Sequence, residues 1–134
     1  MTQSPSAYLA EFHSAFDLCR SLVPKVPPDG IAAVRQRLLD EEVGELAEAV
    51  RQQDLAAIAH ELADVVYVAF GTALAYGIDL DAVLAEVHRA NMSKLGRDGR
   101  PLVVDGKVRR GPDYRPPQIA ALLETQRRSR DVRL

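Results

Sequence analysis

The sequence predicts an all-α protein, a bundle of four main helices followed by a tail rich in glycine and proline. Aromatic residues make up only 5% of the chain and Trp is absent, so Ala, Val and Leu must fill the core. That composition favours helices over strands. Apolar residues also recur at helical spacing between helix caps and breakers. At 134 residues we expect one domain over 1–134, with 96–134 as an extended, partly irregular tail.

The first two helices are separated by a clear breaker. The first is predicted from about Pro5 to Leu22, with Ser4 as its N-cap and the proline in its first turn. Residues 24–30, PKVPPDG, then interrupt the helical pattern. The second helix is predicted from about Ile31 to Arg51.

The third helix is the most apolar segment of the chain. It is predicted to start after Asp54 as its cap and to run to about Tyr76, where Gly77 ends it. Because its helical wheel is apolar almost all round, we expect it to be buried on every side. A few helices from one chain cover such a helix poorly, which predicts a homodimer or a dimer of dimers.

The chain changes character after the fourth helix, which is predicted from Asp79 as its cap to about Lys94. Residues 96–117 hold four of the eight glycines and four of the eight prolines. Within them, PLVV-DG-KVRR predicts a short hairpin that turns at Asp105 and Gly106. A last short helix is expected over 117–125, and the basic end, 127–134, is expected to fray.

Composition and terminal sequence predict a cytoplasmic protein. The formal net charge of −2 argues against binding of a nucleic-acid polymer. The N-terminus lacks the features of a signal peptide, and the apolar stretch 65–78 is shorter than the ~20 residues that span a bilayer, so no membrane partner is expected. The single Cys19 excludes an internal disulfide and is compatible with a reducing compartment.

The placement of the acidic residues carries the functional signal. On a wheel of the second helix at ~100° per residue, Glu42 and Glu45 fall inside the apolar arc and Glu41 lies at its border. In the third helix, Glu61 and Asp64 lie one turn apart among apolar residues. Two helices therefore each direct a pair of carboxylates toward the interior.

A divalent cation would make this arrangement tolerable. Burial of an unpaired carboxylate is costly, and no base lies at helical spacing from Glu42 or Glu45. Mg²⁺ prefers oxygen ligands and keeps positions open for water and phosphate. With Glu41, the negative charge exceeds what one Mg²⁺ neutralises, which suggests two or more ions. The alternative, a solvated acidic face, does not explain why the third helix also carries a pair of acids among its apolar residues.

With these residues established, the sequence resembles the all-alpha nucleoside triphosphate pyrophosphohydrolases. That group includes the MazG proteins, the dimeric dUTPases and the phosphoribosyl-ATP pyrophosphohydrolases. Its signature, E-E-x-x-E followed by a spacer and E-x-x-D, reads here as residues 41–45, a spacer of fifteen residues, and residues 61–64. The tail, ANMSKLGRDG…DGKVRRGPDYRPP, resembles that of the small MazG-like branch.

The resemblance implies an enzyme in a dimer or larger oligomer that hydrolyses a nucleoside triphosphate between its α- and β-phosphates. The products would be the monophosphate and pyrophosphate, and dUTP is the first substrate to test, in a house-cleaning role. The implied ligands of Mg²⁺, with Mn²⁺ as a possible substitute, are Glu42, Glu45, Glu61 and Asp64. Glu41 would bind a second ion or orient the attacking water, so the implied catalytic set is Glu41, Glu42 and Glu45.

Phosphate groups also need hydrogen-bond donors, and the sequence offers them at the end of the fourth helix and in the tail. The residues expected to contact the nucleotide are Asn91, Lys94, Lys107, Arg110 and Tyr114. The three histidines are isolated in the sequence, and we interpret them as structural or surface residues: His13, His60 and His88.

Two alternatives stay open at this stage. Within the family, the substrate could be phosphoribosyl-ATP, although the proline-rich tail resembles that branch less. Outside it, the chain could be a non-catalytic helical module that binds nucleotide or protein. No Walker loop, G-x-S-x-G, H-E-x-x-H or C-x-x-C pattern occurs, so other chemistries have no visible machinery.

Overall fold

The computed structural model describes residues 2–131, and within them the chain is mostly helical, which confirms the predicted all-α fold. The predicted tail residues 132–134 lie outside the described residues. The elements are, in order, α1 Pro5–Ala15, α2 Asp29–Arg51, α3 Leu55–Tyr76, α4 Leu80–Met92, β1 Leu102–Val104, β2 Lys107–Arg109 and α5 Ile119–Asp131.

The chain divides into two compact units. The first comprises the residues up to Leu80 and those from Gln126 onward, and it contains α1, α2 and α3. The second comprises residues 81–125, with nearly all of α4, the hairpin and the start of α5. The single domain expected over the whole chain stays a prediction.

Helix α1 is shorter than the sequence predicts, because it ends at Ala15 rather than Leu22. Its predicted N-cap is confirmed, since the Ser4 side chain accepts a hydrogen bond from the Ala7 amide. The helix ends because Asp17 adopts a left-handed backbone conformation with φ 53°. After the helix, the buried His13 ring donates a hydrogen bond from Nδ1 to the Cys19 carbonyl oxygen at 2.9 Å, which fixes the segment that follows α1.

Helices α2 and α3 form the frame of the first unit. Helix α3 begins and ends as predicted: Asp54 accepts from the Ala57 amide at 3.1 Å, and Gly77 ends the helix with φ 70°. A Cβ at Gly77 would also collide with the Val23 carbonyl oxygen, so both conformation and space require glycine there. Helix α2 starts at Asp29, two residues before the predicted Ile31.

The two long helices are antiparallel, because residues early in α2 meet residues late in α3. Arg35, near the start of α2, donates from Nη2 to the Val68 carbonyl oxygen at 3.0 Å. Glu42, one to two turns later, approaches Glu61, which precedes Val68. Helix α1 packs against α3 through an edge-to-face contact of Phe12 and Tyr67, with ring centroids 5.5 Å apart.

A single chain does not bury α3 on every side, as expected for so few helices, and its complete burial in an oligomer stays a prediction. The helix is buried near its C-terminus at Phe70, Ala73 and Ala75, but Leu62 is 50% and Val66 46% exposed nearer its N-terminus and middle. Helices α1 and α2 supply its main helix contacts, and the chain at Ser21 and Lys25 hydrogen-bonds to its C-terminal end. Helix α3 is also long and apolar enough to cross a bilayer by length and composition.

The second unit contains the predicted hairpin, in which β1 and β2 pair antiparallel. Its turn residues, Asp105 and Gly106, have φ values of 53° and 73°, as a tight two-residue turn requires. Helix α4 ends at Met92, two residues before the predicted Lys94. The expectation that the chain frays from residue 127 is wrong as far as residue 131, because α5 continues to Asp131. That basic segment contains no Gly or Pro to end the helix.

Candidate active site

The predicted acidic residues of α2 and α3 come together in the first unit. Glu42, Glu45 and Glu61 each present a carboxylate oxygen, and these three oxygens lie within 4.8 Å of one another. A carboxylate oxygen of Asp64 also lies within 4.8 Å of one from Glu61, in a group that includes a ring nitrogen of His60. Glu41 and Glu45 are exposed, so the expected interior position of Glu45 is wrong, whereas Glu42, Glu61 and Asp64 are half-buried. We call Glu42, Glu45, Glu61 and Asp64 the acid cluster.

Helix geometry explains why these side chains meet. A spacing of three residues places two side chains on the same face of a helix, one turn apart. The pair Glu42 and Glu45 on α2 and the pair Glu61 and Asp64 on α3 both have that spacing. Because α2 and α3 are antiparallel neighbours, the two pairs face each other at the same level of the bundle.

The electrostatics of the cluster are unfavourable without a cation. The Oε2 atoms of Glu42 and Glu61 are buried, and no donor among residues 2–131 forms a hydrogen bond to them. Burial, followed by the neighbouring charges of Glu45, Asp64 and Glu61, raises the pKa of Glu42 to about 7. In the described part of the chain, no Lys or Arg forms an ion pair with the cluster.

These properties fit a hard divalent cation. Buried carboxylate oxygens without donors carry lone pairs that water cannot reach, and a metal ion would satisfy them directly. Carboxylates are the ligands that Mg²⁺ prefers, and Mg²⁺ is usually held by few protein groups plus water and substrate phosphate. The donor set of the acid cluster is therefore suited to Mg²⁺.

An apolar cavity of about 400 Å³ lies between α1, α2 and α3, one helical turn from the acid cluster. Leu38 lines it four residues before Glu42, and Val68 lines it four residues after Asp64. Most of the remaining lining is also apolar or aromatic, including Phe12, Ile31, Val34 and Tyr67. Such a cavity can hold a flat, weakly polar group.

Arg35 is the cation of this cavity, and the sequence analysis did not identify it. Its Nε donates to Thr72 Oγ1 at 3.3 Å and its Nη2 to the Val68 carbonyl oxygen at 3.0 Å. No carboxylate among residues 2–131 forms an ion pair with it, and burial lowers the pKa of its guanidinium. Gly71 leaves space for it, because a Cβ there would collide with Nη2.

A signal for Arg35 was present in the sequence. On the same wheel that placed the two glutamates, Arg35 lies at about +40°, inside the apolar arc of α2. A charged residue at such a position is as unusual as a buried carboxylate. His13 also borders the cavity and is buried, which agrees with its expected structural role.

The five predicted substrate-binding residues lie in the second unit. Lys94, Lys107 and Arg110 line a cavity of about 540 Å³ together with Arg109. The Gly111 amide donates to the Lys94 carbonyl oxygen at 2.8 Å, which holds the chain after β2 against the end of α4. The Arg110 guanidinium carbon lies 4.7 Å from the centre of the Tyr114 ring. Asn91 is exposed on α4 and does not line this cavity.

The chain matches the model of a known protein family. A family model described as phosphoribosyl-ATP pyrophosphohydrolase matches residues 9–91. That range is more than half of the chain, and it includes all of α2 and α3 with their acidic residues. Comparison with curated proteins gives no match.

The raised pKa of Glu42 predicts a pH dependence of stability in metal-free protein. The folded state keeps a proton on Glu42 up to about pH 7, whereas the ordinary value for the unfolded chain is 4.5. Between these values the folded state binds more protons, so this stabilisation is complete below the unfolded pKa and is lost as pH rises toward 7. Burial lowers the pKa of His13, which acts in the opposite direction.

The test is therefore a difference between variants. Urea unfolding in EDTA, measured at several pH values between about 4.5 and 8, should show wild type losing stability relative to Glu42→Gln as pH rises. Glu48→Gln is the matched control, because the pKa of Glu48 is lowered by Arg51 and its titration falls below this range. A difference between wild type and Glu42→Gln that is constant with pH would contradict the assignment.

Proposed function

We propose that this chain cleaves a nucleoside triphosphate with Mg²⁺. The proposal starts from the family to which the chain belongs, the phosphoribosyl-ATP pyrophosphohydrolases of the all-alpha nucleoside triphosphate pyrophosphohydrolase superfamily. The products are the nucleoside monophosphate and pyrophosphate. The proposed role is house-cleaning of the nucleotide pool, with dUTP as the first substrate. The family assignment also supports a cytoplasmic location.

The observation that carries the proposal is the acid cluster with its two buried oxygens that lack donors. In this proposal Glu42, Glu45, Glu61 and Asp64 hold the metal. A divalent ion bound there supplies neutralisation of phosphate charge and a more acidic bound water. The cluster has a strong negative charge of its own, so a triphosphate can approach only when cations are present.

The other residues then have distinct roles. Glu41 is exposed beside the cluster, where its carboxylate can orient the attacking water and accept its proton. Lys94, Lys107 and Arg110 are proposed to bind phosphate oxygens, and Asn91 and Tyr114 to contact the nucleotide. Hydrolysis of the anhydride needs mainly charge neutralisation and an oriented water, and these groups supply both.

The apolar cavity is the proposed site of the base. It lies one helical turn from the acid cluster, and it contains two aromatic side chains, Phe12 and Tyr67, and the guanidinium of Arg35. Aromatic rings stack on bases, and Arg N–H groups donate to base acceptors. A base in this cavity would leave the phosphates near the carboxylates.

A second candidate substrate is phosphoribosyl-ATP, which the description of the matching family favours. That substrate carries an additional charged phosphoribosyl group on its base. The cavity is lined almost entirely by apolar side chains, with Arg35 as its one cation among the lining residues. Such a lining favours an uncharged base over a base that bears a phosphate group, because unpaired charge is costly to bury.

The first prediction concerns the metal ligands. Glu45→Ala and Asp64→Ala should each lower the rate of pyrophosphate release by at least about 100-fold, because charge stabilisation at the phosphates would be lost. Calorimetric Mg²⁺ titration of the same variants should show weakened binding. Glu48→Ala is the matched control on α2, since that exposed residue pairs with Arg51 and Gln52. No pyrophosphate from any triphosphate, with unchanged Mg²⁺ binding in both variants, would instead indicate a non-catalytic module.

The second prediction concerns the substrate. Across the canonical and damaged deoxynucleoside triphosphates and phosphoribosyl-ATP, kcat/KM should be higher for a triphosphate with an unmodified base such as dUTP. Pyrophosphate release with Mg²⁺ and with Mn²⁺ measures this directly. Preference for phosphoribosyl-ATP over every simple triphosphate would overturn the house-cleaning role and leave the pyrophosphohydrolase proposal intact.

The third prediction concerns assembly. In a single chain the first twelve residues of α3 present Leu55, Leu62 and Val66 to solvent, and a second copy would bury them. Light scattering over a dilution series should therefore find a dimer or a dimer of dimers. Val66→Lys should weaken the assembly, because a buried interface would receive an unpaired charge. A well-folded monomer at all concentrations would contradict this prediction.

A further inference from the structure

His13 has one ring nitrogen that the folded chain leaves without a partner. The residue is only 2% exposed, and its Nδ1 lies 2.9 Å from the Cys19 carbonyl oxygen. Because a carbonyl oxygen can only accept, Nδ1 carries the hydrogen, and Nε2 of the neutral ring is then an acceptor. No hydrogen bond to Nε2 forms within residues 2–131. A buried acceptor of this kind indicates a ligand that supplies the donor.

The surroundings of His13 keep its ring neutral. Burial lowers the pKa of His13, and the positive charges of Arg35 and Arg20 lower it further. The hydrogen bond to the Cys19 carbonyl oxygen acts in the opposite direction and is outweighed. At neutral pH, Nε2 therefore presents a lone pair rather than a proton.

Arg35 places a donor beside this acceptor. Its Nη2 and the Nε2 of His13 both lie within 3.0 Å of the position that a Cβ on Gly71 would occupy. Both side chains line the apolar cavity. The bonds of Arg35 to Thr72 and Val68 involve Nε and Nη2, and its Nη1 forms no hydrogen bond within the described residues. The wall of the cavity therefore offers a donor next to an acceptor.

A ring N–H next to a carbonyl group complements this pair. The ring N–H can donate to Nε2 of His13 while the carbonyl oxygen accepts from Arg35. Uracil presents such an edge in either orientation, because its N3–H lies between two carbonyl oxygens. Cytosine placed in the same way would set the lone pair of its N3 against that of Nε2. Two facing acceptors leave both without a donor, which is unfavourable in a buried site.

We infer that His13 and Arg35 select a base that has a ring N–H beside a carbonyl group, which makes His13 a specificity-determining residue. Most other residues that line the cavity are apolar and can only pack against the base, so these two side chains set its polar requirement. This inference rests on the base site of the proposed function. It adds the hydrogen-bond pattern that this site accepts.

The first experiment observes the acceptor directly by ¹⁵N nuclear magnetic resonance of protein labelled in its histidine rings. Saturating dUMP with Mg²⁺ should shift the Nε2 resonance of His13 toward the range of a protonated nitrogen, because Nε2 then accepts a hydrogen bond. N3-methyl-dUMP, which lacks the ring N–H, should not produce this shift. The resonances of His88, an exposed histidine on α4, should be the same with both nucleotides.

The second experiment uses variants that separate recognition from structure. His13→Asn keeps an amide N–H near the position of Nδ1, for the Cys19 carbonyl oxygen, but removes Nε2. The ratio of kcat/KM for dUTP to that for N3-methyl-dUTP should be at least about tenfold in wild type and should approach one in His13→Asn. His13→Gln, whose amide reaches the position of Nε2, should keep part of the preference. His88→Asn is the matched control and should keep the wild-type ratio.

The outcomes are separable from those of the proposed function. An unchanged His13 resonance with dUMP, or equal ratios in wild type and a folded His13→Asn, would overturn the inference. A shifted Nε2 resonance without pyrophosphate release from any nucleotide would support the base site and refute the enzyme proposal. Pyrophosphate release at equal rates from dUTP and N3-methyl-dUTP would refute the inference and leave the proposed function in place.

Discussion

The structure of the first unit depends on one electrostatic constraint, the approach of four carboxylates from two antiparallel helices. Glu42 and Glu61 meet where their Oε2 atoms reach neither water nor a donor in the described chain. Like charges at this distance repel, and burial strengthens the repulsion. The apolar residues that pack α2 against α3 must therefore hold the carboxylates together against this repulsion. A site built in this way is arranged for a cation before the cation arrives.

The same two helices carry a second charge that lacks a counterion. Arg35 lies on α2 at the apolar cavity, hydrogen-bonded to Thr72 and the Val68 carbonyl oxygen but paired with no carboxylate in the described residues. The acid cluster lies about two turns from Arg35 along α2, with the apolar cavity between them. Neither charge has an ion-pair partner among Lys, Arg, Asp and Glu in the described residues, and this arrangement supports a ligand that spans both.

The acid cluster could be predicted from the sequence because acidic residues occupy positions of α2 and α3 at which helical periodicity predicts apolar residues. The same wheel places Arg35 inside the apolar arc of α2, so this second buried charge is also visible in the sequence. The errors at α1 and α5 have physical causes. Helix α1 ends early because Asp17 adopts a left-handed backbone conformation, and the His13 ring then hydrogen-bonds to the Cys19 carbonyl oxygen. Neither feature is visible in the apolar pattern. Helix α5 continues to Asp131 because its polar residues have adequate helix propensity, whereas fraying was expected from the terminal position of this basic segment.

The sequence by itself determined the helical class, the caps of α3, the hairpin turn and the identity of the clustered acids, because each depends on neighbours within about one turn of helix or hairpin. Only the tertiary structure decided which oxygens lack partners, that His60 adjoins Asp64 at the cluster, and that a cavity opens beside Arg35. These features depend on how α1, α2 and α3 pack. The exposure of one side of α3 is likewise a tertiary result, since periodicity shows that a helix is apolar but not which chain covers it.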